Sequence, residues 1–593
     1  MFCYRQYLFL ASSTALCDAQ ILWSSSPVTN YSDIIKEAMP FGPPGAEKVV
    51  LNIDSLWSGG PFGADNCTGG NASEEMSSCL SGIRGWIFSG YNRKCLSVLG
   101  NYKRTLDLET GIYTTQFSIN NGDRYITQTY CSGPDQVCIY ELSSTTMLPV
   151  ISLKLKNQLG VNQVRPPEGM KYEGVVKVTG IGNYSTHCSK TNSAGIGTLL
   201  VPSIFGVHSI SIVETCRQIT TAAASISSAE LEQRHIKDYE LLSGAFTLEL
   251  QDLNGSAAME TSKIFSQYNY SQGAPFVESL LFDYSRHLSH FAAEQTWLGD
   301  IQDGLWRYMQ DTWVLRGTKT AKLLYGAPGW VTYDKMNIFG HTVVKGTAQW
   351  AYYPISAAWM MQHVHDTGYP LLKGEDHCWN DDTLVVNPCD SPEHGPTTFE
   401  CTHYQQLLHK LFTNVTILDP LASKPDSSFR NNLSNPEETE TYDIQNDPHR
   451  HLSHLWSWYL SLSIISSSPQ YFSGYTNQTI QTAIANSLHS RRFGNGPDAN
   501  SGWEKRAYFE LKYAIKLNFV GNALSMYSER DMPFQIDANF GFAGAVLSML
   551  VVNVEEREEK TVVLGSVISR EWGRGSVSGL RLRGGLYPGQ IAC

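Results

Sequence analysis

Glu393 and Asp537 are the carboxylates of this chain whose surroundings best suit shared acid–base work. Glu393 stands in the run Asn387-Pro388-Cys389-Asp390-Ser391-Pro392-Glu393-His394-Gly395-Pro396, a sparsely charged, proline-flanked turn. Partial desolvation there favours the protonated acid, and His394 beside it can modulate the proton. Asp537 sits between Ile536 and Ala538 in an apolar surround, with Gln535 and Asn539 near enough in sequence to hold a water or a hydroxyl. One protonated and one ionised carboxyl on opposite faces of a sugar ring is the pair that glycosidic cleavage needs. Alone, either residue would serve as well as a loop cap or a turn residue.

Three further segments crowd polar and aromatic side chains against Gly and Pro, the texture of binding loops. They are Leu51 to Pro61, Gly329 to His341 with Trp330, Asn337 and His341, and His449-Arg450-His451-Leu452-Ser453-His454. The three histidines of the last invite a metal reading, but Arg450 in their midst repels a cation and no carboxylate or thiol stands at a ligand spacing. No metal is expected. Arg450 and His451 suit contacts to sugar hydroxyls better, while His454 fits a satisfied structural residue at a helix start. Trp57, Trp330 and Trp503 offer stacking faces for a pyranose ring, although a buried core aromatic is the commoner fate of a tryptophan. A Gly-x-Ser-x-Gly elbow, a phosphate-binding Walker loop and a dinucleotide-binding Gly-x-Gly-x-x-Gly at a strand–helix junction are missing.

The elements that must carry these residues change character along the chain. From about Ile21 to Leu250 the pattern is short and alternating, with strands expected at Lys48–Asn52, Gly111–Ile119, Arg124–Tyr130, Gln136–Leu142, Val150–Lys156, Gly174–Thr179 and Ser209–Glu214, and a turn at Asn121-Gly122-Asp123. That is the rhythm of a β-sandwich. From Val277 onward apolar residues recur at helical spacing, in Val277–His290, Gly304–Thr312, Ala348–Thr367, His403–Leu418, His454–Ser466, Thr479–Arg491 and Glu504–Asn522. Ser423 to Asp447 is polar and rich in Pro, Asn and Glu, so a surface excursion is expected. After a Glu/Lys-rich turn, Thr561–Val567 and Gly575–Arg583 return to strand patterning.

The 593 residues carry 56 acids against 44 bases, a net charge of -12, and are 42% apolar but only 17% charged. This excludes disorder for the bulk and leaves no basic footprint for nucleic acid. No obligate protein partner is evident. A short positive start, an apolar run Tyr7 to Leu16 and Ala19 before Gln20 read as a secretory signal over residues 1–19. The longest later apolar stretch, Gly541 to Val552, is well short of the roughly 20 residues a membrane span needs. Asn-x-Ser/Thr acceptor sites at Asn30, Asn66, Asn71, Asn183, Asn254, Asn269, Asn414, Asn432 and Asn477 suit a secreted glycoprotein. Two of the thirteen cysteines, Cys3 and Cys17, precede the expected cut; the odd remainder, with no Cys-x-x-Cys, points to a few disulfides and an unpaired thiol.

Taken in order, Leu51 to Pro61, Gly329 to His341 followed by Gln349-Trp350, Ser391-Pro392-Glu393, His449 to His454 and Gln535 to Gly541 resemble glycoside hydrolase family 95, in particular its fungal secreted α-L-fucosidases. The resemblance runs from about Leu22 to Leu586. It implies an N-terminal β-sandwich (20–260), a helical linker (261–300), an (α/α)6-barrel catalytic domain (301–553) and a small C-terminal β region (554–593). It implies inverting hydrolysis of α-1,2-linked L-fucose on fucosylated oligosaccharides or polysaccharides such as xyloglucan, with no metal or organic cofactor. Matched to the family's motifs, Glu393 is the general acid and Asp537 the base carboxylate, while Arg450 and His451 line the sugar pocket. Asn387, Trp330, Asn337 and His341 are carried as further substrate contacts. The chain lacks three stretches that the family has: after Glu37, between His287 and Gln295, where the family carries an Asn-x-Asn pair that orients the attacking water, and after Lys505. The alternative is therefore a catalytically impaired member that at most binds fucosylated glycan. An α-L-galactosidase would use the same machinery with a pocket open at the sugar's exocyclic carbon.

Overall fold

The computed structural model describes residues 20–26, 40–41, 48–49, 100–119, 122–146, 212–294, 309–326, 328–332, 356–365, 389–391, 394–398, 403–404, 407, 482, 503–525, 536–555, 560–564, 568–579, 581–582, 585–586 and 591–592. Its N-terminal part is a five-stranded antiparallel sheet in the order β1 (Ile21–Ser24), β2 (Gly100–Asp107), β3 (Tyr113–Ser118), β4 (Arg124–Ser132) and β5 (Val137–Ser144). Period-2 patterning fixes its register. Tyr113, Thr115 and Phe117 of β3 are buried while Thr114, Gln116 and Ser118 are half-buried, and across the ladder Tyr113 faces Thr129. The expected turn at Gly122 is present: its φ of 84° is left-handed, and the Ile119 N–H reaches the Asp123 carbonyl across it. Cys131 and Cys138, direct partners across β4 and β5, form a disulfide.

Next come two helices, α1 (Ile212–Ala224) and α2 (Ser228–Ser243), which cover one corner of the sheet. The strand expected at Ser209–Glu214 is thus not formed over 212–214, where α1 begins. Its apolar residues Ile212, Cys216, Ile219 and Ala223 recur every three to four positions, a helical period that outweighs the brief alternation of Ser209 to Ile212. Ala223 of α1 and Leu231 of α2 pack on Tyr130, Val137 and Ile139 of the sheet. Ser227 caps α2, its hydroxyl accepting the Glu230 N–H.

The chain then forms β6 (Thr247–Leu250), α3 (Thr261–Gln267) and the long α4 (Pro275–Glu294). Proline at the first helical position needs no N–H there. Phe276, Val277, Leu280, Leu281, Phe282, Tyr284 and Leu288 are all buried, so α4 is enclosed nearly all round. Two later helices share its core. α5 (Trp503–Asn518) buries Tyr508, Leu511, Lys512 and Ile515, while α6 (Ile536–Leu550) packs directly on α4 through Phe542, Ala543, Val546 and Met549. The polypeptide finally returns to β6: β7 (Gly575–Ser578) pairs with β6 on one side and β8 (Ile591–Ala592) on the other. Most of 301–553 lies outside the described residues. Within it the expected helix Gly304–Thr312 is seen from Met309, first as a π-helix to Val314, then as α-helix Leu315–Thr320 and again π to Tyr325; the helix expected at Ala348–Thr367 covers Ser356–His365. No described helix is long and apolar enough to cross a membrane.

One buried carboxylate joins these parts. Glu278, 1% exposed in the first turn of α4, accepts hydrogen bonds on Oε1 from Tyr268 Oη (2.8 Å), Tyr508 Oη (3.0 Å) and the Ala274 N–H (3.1 Å), and on Oε2 from Trp572 Nε1 (2.7 Å). Burial holds its pKa above the ordinary carboxylate value, although those four donors oppose the rise. Gly273, at φ 73°, lies so close to Tyr508 Oη that any side chain there would displace the phenol.

A cavity of about 740 Å³ opens where the N-terminal sheet, α2, α4 and the β6–β7 pair meet; its walls include Gln20, Tyr239, Phe246, Asp283, Arg286 and Arg574. Arg286 donates to the carbonyls of Ser243 and Phe246 and to Asp283 Oδ1 (3.1 Å). Burial raises the Asp283 carboxyl from the ordinary 3.8 to about 6, against the opposing pull of Arg286 and a hydrogen bond from Gln20.

Two outcomes follow from these two acids. Glu278→Ala leaves four buried donors without their acceptor and should cost at least about 3 kcal/mol in a urea melt, with Glu278→Gln losing less because the amide oxygen still accepts. A Glu278→Ala protein with the wild-type midpoint would contradict this role. Asp283 binds its proton more tightly folded than unfolded, so its stabilising contribution is complete below about pH 4 and is lost as pH rises through about 6. Asp283→Asn should therefore flatten the denaturation midpoint against pH between those values, and an unaltered slope would refute the assignment.

Candidate active site

Of the residues expected to do chemistry, Asp537 has the clearest setting. It is the second residue of α6, where an acidic side chain complements the helix's positive end, and it is exposed. Two positions further on, Asn539 is fully buried. Successive helical residues are about 100° apart, so positions 537 and 539 face nearly opposite ways. Asn539 was expected to hold a water or a hydroxyl beside Asp537; it does neither. Its Oδ1 accepts the Ser525 N–H (3.0 Å) and its Nδ2 donates to the Ala523 carbonyl (3.0 Å), so both ends of the amide are spent on the 519–525 turn.

That turn follows α5 and is closed by its own bonds. Phe519 bridges Ser525, the Val520 N–H reaches the Leu524 carbonyl, and the Leu524 N–H is taken by Asn522 Oδ1. Ala523 holds φ 63°, a left-handed conformation that costs a non-glycine residue about 1–2 kcal/mol. The only sequence signal for this arrangement is a polar Asn on the apolar face of an otherwise regular helix, and such a residue must have buried partners.

Trp330 is half-buried and lies across Gly317 of the 315–320 helix: a methyl at Gly317 would stand 3.2 Å from its Cε3, and the Val331 N–H donates to the Gly317 carbonyl at 3.1 Å. A ring packed in this way leaves part of its surface open for stacking. The settings of Trp330 and Asp537 share no residue among those described. Glu393 falls outside the described residues, as do Asn387, Asn337, His341, Arg450, His451 and the other histidines of that motif. The strands on either side of Pro392-Glu393, Cys389–Ser391 and His394–Thr398, pair antiparallel. Among the described residues no three His, Cys, Asp or Glu side chains are grouped so as to hold a metal ion.

Comparison with known proteins extends these fragments over the chain. The family model for the glycosyl hydrolase family 95 catalytic domain matches residues 227–290 and 288–550, and that for the N-terminal domain of glycosyl hydrolase family 65 matches 37–100 and 95–201. The chain is 36% identical to "Probable alpha-fucosidase A" of Aspergillus niger, covering 98% of this chain and 94% of that protein, and 34% identical to the protein of the same name from Aspergillus oryzae, over 98% and 95%. "Alpha-L-fucosidase 2" of Arabidopsis thaliana is 24% identical over 82% of this chain and 74% of its own length. The first of these alignments spans 764 positions, more than the 593 residues here, so the relative has stretches with no counterpart in this chain. The catalytic-domain match is itself broken at 288–290, inside the continuous helix α4. A sandwich-like N-terminal domain followed by this catalytic domain, with similarity along nearly its whole length, means that the chain belongs to glycosyl hydrolase family 95.

Proposed function

We propose that this protein is a secreted α-L-fucosidase that removes α-1,2-linked L-fucose from fucosylated glycans such as xyloglucan with inversion at the anomeric carbon. The observation that carries the reading is its similarity, over 98% of its length, to two proteins named as probable α-fucosidases. Glu393, protonated, gives its proton to the glycosidic oxygen as that bond breaks. Asp537 takes a proton from the water that attacks the opposite ring face. The products are the shortened glycan and β-L-fucose, and the two carboxyls stand about 6.5–9.5 Å apart to admit the water. Arg450, His451, Asn387, Asn337, His341 and the open part of Trp330 contact the sugar at the mouth of an (α/α)6 barrel. No metal or organic cofactor takes part.

Support for export comes from the apolar start of the sequence, from the Cys131–Cys138 disulfide, and from acceptor asparagines Asn254 and Asn269, both exposed. Disulfides of this kind persist in oxidising compartments.

A second reading, an impaired member that binds fucosylated glycan, is favoured by the interruption of the catalytic-domain match at 288–290, beside the place where the sequence lacks the family's asparagine pair. The loss of one such positioning element lowers turnover by about 10² to 10⁴. Turnover of 2'-fucosyllactose should accordingly fall by that factor below that of a relative carrying the segment, with β-L-fucose as the first product by NMR. Glu393→Gln should abolish the remainder while leaving the fold intact. Unchanged fucose release by Glu393→Gln removes it from the acid role, and full-rate turnover by the wild-type chain would show that another group holds the water.

A further inference from the structure

We propose that Asn539 is the positioning residue that aims Asp537, by clamping the first turn of α6 to the strained turn at 519–525. The inference rests on Asp537 being the base of the reaction proposed above. The start of a helix is its least restrained part, since its first four N–H groups have no partner within the helix. Here the restraint comes from a side chain instead. The Asn539 amide is fully buried and grips both sides of a peptide segment, donating to the Ala523 carbonyl and accepting from the Ser525 N–H, each at 3.0 Å. Both bonds are made in a dry interior, where losing either partner leaves a costly orphan.

The segment it grips is rigid for its own reasons. Left-handed Ala523 persists only where the surroundings over-determine it, and Asn539 supplies one of the bonds that does so. Behind the turn, Ile515 and Phe519 sit in the same core as α4, and Phe519 meets Phe542 of α6 edge-on with ring centroids 5.6 Å apart. Position 539 is thus bonded to the turn on the inner side of the helix, while the carboxylate at 537 projects from the outer side. Rotation or fraying of the first turn would have to break both amide bonds. A base that must hold a water to within about 0.5 Å of its productive position, roughly 3 Å from the anomeric carbon, needs such support.

Ligand binding tests this without relying on turnover. Two probes are titrated by calorimetry into the full chain: L-fucose, which reports the sugar pocket, and a fucose-configured iminosugar, whose ring ammonium reports the carboxylate beside the anomeric carbon. Asn539→Ala should weaken the iminosugar about tenfold more than it weakens L-fucose. A residue that only stabilised the fold would lower both affinities alike, and an equal loss, or none, overturns the proposal. If Asn539→Ala does not fold, Asn539→Asp keeps the size and the bond from Ser525 but sets an acceptor against the Ala523 carbonyl. It should show the same selective loss, and an unchanged ratio of affinities in that variant overturns the proposal equally. Asp537→Asn separates the two levels: if it leaves the ratio unchanged, Asp537 is not the base and the positioning role falls with it. A wild-type chain that binds neither probe would sink the fucoside reading as well.

Discussion

A single carboxylate buried where several chain segments converge is the constraint on which the described core depends. Glu278 lies in the first turn of α4, and its four donors come from the segment before that helix, from α5 and from the C-terminal part of the chain at Trp572. An ionisable group taken out of water is tolerated only when it has hydrogen-bond partners, and here both carboxyl oxygens have them. Removing any one donor weakens the solution for the rest. The carboxylate therefore ties segments almost three hundred residues apart, which packing of apolar surface alone would leave free to slide.

From this point the structure passes its rigidity outward. Tyr508 holds α5 to Glu278, and the edge of the Trp572 indole meets the Tyr508 ring nearly at right angles. Lys512, on the same face of α5, reaches Glu571 at 2.8 Å and lies over the Tyr508 ring. At the end of α5 the chain makes the 519–525 turn, and that turn meets α6 through Asn539. The residue proposed as base thus stands on the outer face of a helix whose inner face is anchored, through α5, to the buried acid of α4.

The break in the family match at 288–290 acquires physical meaning in this frame. α4 runs unbroken from Pro275 to Glu294 across it, and the part before the break carries Glu278, Asp283 and Arg286. The core-forming half of the helix is thus intact, with its apolar residues, its buried acid Glu278 and its contact with α6 all in place. The stretches that its relatives have and this chain lacks leave these core contacts as they are.

The strands at 113–118 and 124–132 and the helices at 275–294 and 503–518 follow from the sequence, because burial of one face imposes a period of two or of about 3.6, whereas the helix at 536–550 was not read from it. Family membership was legible too, since its motifs are runs of chemistry-bearing residues in a fixed order. The start of α1 was misread as strand because four alternating residues look alike in either element until the next two turns are counted. Tertiary structure alone decided the partners. Glu278 reads in sequence as one acid in an apolar helix, and Asn539 as a free amide beside a catalytic carboxylate. Only the fold brings Tyr268, Tyr508 and Trp572 to the first, and turns the second inward to Ala523 and Ser525. A hydrogen bond between residues distant along the chain has no period, and sequence patterns record periods.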